Sequence, residues 1–94
     1  MPEEVKTYKI LLSGRVQGVG FRFFVESRAK KYNIAGYVSN TFNNKVEVVC
    51  QGEKENLELF IKEIKKGPAF SIVRNVDIEE IKNPQNYSVF EIKF

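Results

Sequence analysis

No histidine occurs anywhere in the 94 residues, and aspartate and cysteine occur once each, as Asp77 and Cys50. The missing histidine removes the Ser-His-Asp and Cys-His arrangements of nucleophilic catalysis, together with every imidazole metal ligand. A single aspartate cannot form an aspartate cluster for magnesium, nor an aspartyl-phosphate beside a second aspartate. A single cysteine forms no disulfide within the chain and cannot furnish the usual structural zinc sets, so no metal site is expected and a reducing cytoplasm is the simplest setting. Charge of one sign is also scarce: the net charge is +3 and the basic residues are scattered, which fits a small anion at least as well as a nucleic acid. No apolar run approaches the length of a bilayer span, and the opening MPEEVKTYKI carries two early glutamates and no apolar signal core. The expectation is a cytoplasmic chain without membrane contact.

What the chain does have is enough apolar sequence for one core. With 94 residues and a hydrophobic fraction of 43%, residues 1–94 are expected to form a single domain, its core rich in the eight Phe and four Tyr. Thr7 to Ser13 places Tyr8, Ile10 and Leu12 at period two, the mark of a strand. From Phe21 the spacing becomes helical, through Phe24, Val25, Ala29 and Tyr32. Ala35 to Phe42 and Lys45 to Gln51 read as two strands around Asn43-Asn44, a pair that tolerates the positive φ of a type I′ hairpin turn.

A second helix carries Leu57, Phe60, Ile61 and Ile64 on one stripe and stops at KKGP, residues 65–68. Ile72 to Ile81 is expected as a strand with Val76 and Ile78 inward. NPQN, residues 83–86, is expected as a turn, and Ser88 to Phe94 as a strand with Phe90, Ile92 and Phe94 on one face. Two strand-helix-strand crossovers flanking a hairpin give an α+β fold, the ferredoxin-like βαββαβ sandwich, with two helices on one face of a mostly antiparallel sheet.

The stretch SGRVQGVGFRFF, Ser13 to Phe24, holds the chemistry. Gly14, Gly18 and Gly20 permit turns closed to other residues, and successive N–H groups there can form a concave anion site that leads into a helix N-terminus. It is not a Walker A loop, because Gly20 is followed by Phe21 and Arg22. It is not the dinucleotide fingerprint either, because Phe23 stands where the third glycine belongs. Arg22 is the telling residue. A cation in the first turn opposes the helix dipole, whereas its planar fork of donors suits two phosphate oxygens. Cys50, in a strand and without a nearby arginine to cradle a phosphate, reads as a buried thiol.

GRVQGVGFR, residues 14–22, resembles the signature of the acylphosphatase family. GYVSN, residues 36–40, resembles its second block, and the likeness runs on through KVEVVCQG and GPAFSIVRNVDIEEI. The resemblance implies hydrolysis of the carboxyl-phosphate bond of acyl phosphates on a ferredoxin-like fold, with no cofactor and no metal. It implies that Arg22 binds the phosphate, that Asn40 positions the attacking water, and that the backbone of Arg15, Val16, Gln17, Gly18, Val19 and Gly20 forms the cradle. The implied partners are a small-molecule acyl phosphate and inorganic phosphate, as product and competitive inhibitor, acting on a monomer. Asn43-Asn44 departs from the Asp-Gly that the family often carries at the hairpin.

A binding module is the rival class, since similar folds serve as RNA-recognition and regulatory units. KVEVVCQ, residues 45–51, lacks the aromatics of an RNA-reading third strand. A phosphate-sensing domain that had lost the reaction would have little reason to retain both Arg22 and Asn40.

Overall fold

The computed structural model describes residues 4–94. Seven elements follow in the order β1 (Val5–Arg15), α1 (Phe21–Lys31), β2 (Ala35–Asn40), β3 (Val46–Glu53), α2 (Lys54–Lys66), β4 (Ile72–Glu80) and β5 (Phe90–Lys93). One five-stranded sheet forms in the order β4-β1-β3-β2-β5. The four pairs are antiparallel except β2 with β5, which is parallel. This is the ferredoxin-like α+β arrangement, with β5 added beside β2.

Register explains why both helices settle on one face. Ile10 stands opposite Val48, Leu12 opposite Val46, and Val38 opposite Val48, so alternate residues of three central strands point the same way. Phe21, Val25 and Ala29 of α1 and Leu57, Phe60 and Ile64 of α2 close over them, and all of these side chains are buried. Both helical stripes are those expected from the periodicity.

Four local expectations fail. The strand after α1 ends at Asn40, not Phe42, and the turn is not type I′: only Asn44 has a positive φ, of 64°, where that turn needs two such residues. The Thr41 N–H donates to the Lys45 carbonyl at 2.9 Å, and the Lys45 N–H donates to Thr41 Oγ1 at 3.0 Å, closing a three-residue loop with a left-handed third residue. Ile78 faces the helical side opposite Ile10 but is 44% exposed, because β4 is an edge strand and the helices do not reach over it there. Val73 joins Val76 against the core instead, three residues apart, because the register shifts between Ser13 and Gly14. At the other edge β5 stops at Lys93, and Phe94 lies 90% exposed.

Candidate active site

The candidate site lies where β1 ends and α1 begins. Gly18 and Gly20 have φ of 74° and 77°, and a Cβ on either would meet nothing within 4 Å. The demand for glycine there is therefore conformational, not steric. Gly20 is the N-cap of α1, makes no side-chain cap, and is followed by no acidic residue in the first turn. The first intrahelical bond runs from the Phe24 N–H to the Gly20 carbonyl, 3.1 Å. The N–H groups before it point out of the helix end, where the positive end of the dipole lies.

Arg22, partly buried, projects from that first turn. One guanidinium nitrogen, Nη1, donates to the Lys93 carbonyl at 3.2 Å, and Cζ lies 4.7 Å from the centroid of the Phe94 ring. No carboxylate side chain neutralises it among the described residues. Asn40 reaches the same place from the end of β2. Its side-chain amide has no protein hydrogen-bond partner among the described residues, so it is not spent on local backbone bonds. Together Val16, Gly18, Gly20, Phe21, Arg22, Phe23 and Asn40 line a hollow of about 90 Å³. A space of that size admits a group as small as a phosphoryl group.

The side chains of the other loop residues turn elsewhere, and the expected cradle is their backbone. Arg15 belongs to β1, its Cα opposite Ile72 of β4, with its side chain exposed and not lining the hollow. Val19 packs its side chain against the core. Gln17 turns away to a different task. Its Nε2 donates to the Thr41 carbonyl at 3.0 Å and to the Lys45 carbonyl at 2.8 Å. The glycine loop is thus tied to the hairpin that carries Asn40, a role the sequence does not signal because its partners lie 24 and 28 residues away.

Phe23 was also missed. The core is expected to be rich in the chain's Phe, yet Phe23 is 62% exposed and lines the hollow, while Phe21 is buried and Phe24 packs against the core. The available signal was the helical stripe itself, which includes Phe21, Phe24 and Val25 and leaves Phe23 off.

A larger hollow of about 430 Å³ lies between α1 and α2, lined by Phe24, Arg28, Tyr32 and Glu63 among others. Size does not make it the site, because its one carboxylate is taken up by neighbouring donors. Glu63 accepts from Arg28 Nε at 2.6 Å, from Lys31 Nζ at 3.4 Å and from the Tyr32 hydroxyl. These bonds, the Tyr32 one foremost, hold the Glu63 carboxyl below its ordinary pKa of 4.5. Cys50 is fully buried in β3, its thiol 3.6 Å from the Tyr8 carbonyl, and burial pushes it up to about 12. It is no nucleophile.

A glycine loop that opens into an uncapped helix end beside an unneutralised arginine offers donors of the kind an anion takes, on a ferredoxin-like domain. The acylphosphatase family model matches residues 8–92. The acylphosphatase of Bacillus licheniformis is 42% identical, over 93% of this chain and 97% of that one. The acylphosphatase of Thermotoga maritima is 40% identical over 96% and 99%. The crystal structure of acylphosphatase from Bacillus subtilis superposes with a TM-score of 0.91 at 35% identity, covering 97% of this chain and all of that one. The chain belongs to the acylphosphatase family, and its reaction is the hydrolysis of acyl phosphates.

Proposed function

We propose that hydrolysis runs through the 90 Å³ hollow, with Arg22 and the backbone N–H groups of residues 15–20 holding the phosphoryl group and Asn40 holding the attacking water. The observation that carries this reading is the convergence of an unpaired amide from β2 and an unneutralised arginine from α1 on one space of phosphoryl size.

The chemistry asks little more of the protein. The leaving group departs as a carboxylate, whose conjugate acid has a pKa of about 4, so no general acid is required at neutral pH. What remains is to hold a phosphoryl group of spread negative charge and to align a water with the departing oxygen. Fixed N–H dipoles and a guanidinium meet the first need in a site already organised before substrate arrives. The Lys93 carbonyl and the Phe94 ring take one side of the guanidinium and leave its other donors for phosphate oxygens.

An amide meets the second need, since it offers a donor and an acceptor on one rigid plane and does not compete for the water's proton. As the water oxygen bonds to phosphorus and the bond to the acyl oxygen breaks, the water's proton passes to a phosphate oxygen. The products are the carboxylate and inorganic phosphate. We further read residues 1–94 as one domain, a cytoplasmic monomer inhibited competitively by inorganic phosphate. No cofactor or metal is needed, and among the described residues no three His, Cys, Asp or Glu side chains gather to hold an ion. Among those residues, no helix is long and apolar enough to cross a membrane.

The test separates the two roles. Arg22→Ala and Arg22→Lys are expected to weaken both phosphate binding and turnover, because an ammonium cannot reproduce the fork. Asn40→Ala is expected to bind phosphate nearly as the parent does and to lose at least ~10²-fold in kcat. Full rate in Asn40→Ala would remove it from the mechanism. Turnover should persist in a chelator, and loss restored by Mg²⁺ would overturn the metal-free scheme.

A further inference from the structure

We infer that the site selects acyl phosphates whose acyl end is aromatic or otherwise bulky and apolar, and that Phe23 is the residue that selects them. The inference rests on the reading of the hollow as the phosphoryl site. With the phosphoryl group in this small, open hollow of about 90 Å³, the acyl end lies toward its rim. That rim is aromatic. Phe23 lines the hollow and is 62% exposed, and Phe94, stacked on Arg22, is 90% exposed.

Core packing requires neither ring to be where it is. Phe21 and Phe24 meet the core's need for aromatic volume in α1, and β5 is anchored through Phe90 and Ile92. Phe23 at the wall of the hollow, with Phe94 against Arg22 beside it, gives an acyl end apolar surface to pack on. A charged acyl end finds little there. Arg22 is committed to the phosphoryl group, and the Lys93 ammonium sits 3.9 Å from the centroid of the Tyr37 ring.

The chain's own aromatics therefore favour a ring or a branched hydrocarbon over a methyl group at the acyl end. Each added apolar group packed against them strengthens binding by an amount that scales with the area removed from water.

The test compares benzoyl phosphate with acetyl phosphate. Benzoate is the less basic leaving group, so the change in the ratio of the two kcat/KM values between parent and variant, in which leaving-group basicity cancels, reports contact with the acyl end. The parent enzyme should favour benzoyl phosphate. In Phe23→Ala the ratio should fall about tenfold, the scale on which an apolar pocket discriminates, and Phe23→Tyr, which keeps the ring, should restore it. Because Phe23 is exposed on the first turn of α1, the alanine variant is expected to fold. A ratio within twofold of the parent in Phe23→Ala, or a parent that favours acetyl phosphate, overturns the inference alone. Full turnover of both substrates by Arg22→Ala overturns the phosphoryl-site reading, and this inference with it.

Discussion

Replacing Gln17 with alanine deletes the two bonds that tie the glycine loop to the β2–β3 hairpin, at 3.0 Å to the Thr41 carbonyl and 2.8 Å to the Lys45 carbonyl. The two losses are unequal. The Lys45 carbonyl keeps the Thr41 N–H at 2.9 Å and the Thr41 hydroxyl at 3.2 Å, whereas the Thr41 carbonyl accepts no other bond among the described residues. A net hydrogen bond contributes about 0.5–1.5 kcal/mol, and a partner left unsatisfied costs about 1–3 kcal/mol when buried. For this half-buried pair the sum is about 1–2 kcal/mol, which in a domain of this size is a fall in Tm of roughly 4–16 °C.

The kinetic effect should be larger than the stability effect implies. Asn40 ends β2 next to Thr41, so on the proposed roles freeing the loop from the hairpin lets water and phosphate drift relative to one another. Misplacement by about 1 Å can cost ~10²-fold. Melting by circular dichroism and kcat with an acyl phosphate measure the two consequences separately. Gln17→Glu is the sharper variant, since it keeps the shape but turns a donor into a carboxylate facing two carbonyl oxygens. It should be less stable than Gln17→Ala at neutral pH and recover as the carboxyl is protonated in acid. A Gln17→Ala protein with both Tm and kcat of the parent would refute the coupling.

Glu63 has a pKa lowered chiefly by the Tyr32 hydroxyl, so its bonds stabilise the fold above the ordinary value of 4.5 and are lost as pH falls through the lower, folded value. Parent Tm should therefore drop more steeply below pH 4.5 than that of Glu63→Gln, and parallel curves would count against the assignment. Cys50, with its thiol near 12 and no exposure, should resist a thiol reagent in the native enzyme at pH about 8 and react on unfolding, so fast native labelling would contradict its burial.

Element order, both helical stripes and the central strands could be read from apolar periodicity, because each is a local pattern that burial enforces. Ile78 shows where that logic stops. Its parity is right, but parity says nothing about how far a helix extends over an edge strand. The shift at Gly14 likewise brings Val73 and Val76 onto one side, which strict alternation forbids. Arg22 was legible from physics, as a cation where a cation is disfavoured. Asn40 was legible only through resemblance, since its proximity to Arg22 is created by pairing β2 with β3 and by packing α1 across the sheet. Gln17 and Phe23 escaped for the same reason: one has partners far along the chain, and the other is defined by what it does not touch.

The two ends of the sheet also bear on how the molecule behaves in a crowded solution. Each outer strand leaves a row of unpaired backbone groups on which another chain could nucleate a shared sheet. On β4 that row is flanked by exposed Arg74, Asp77 and Glu79 and interrupted by the irregularity opposite Gly14. On β5 it is four residues long, with Glu91 and Lys93 outward. An incoming strand would have to strip water from charges of both signs and follow a broken ladder, so the fold carries its own protection against fibrillar association.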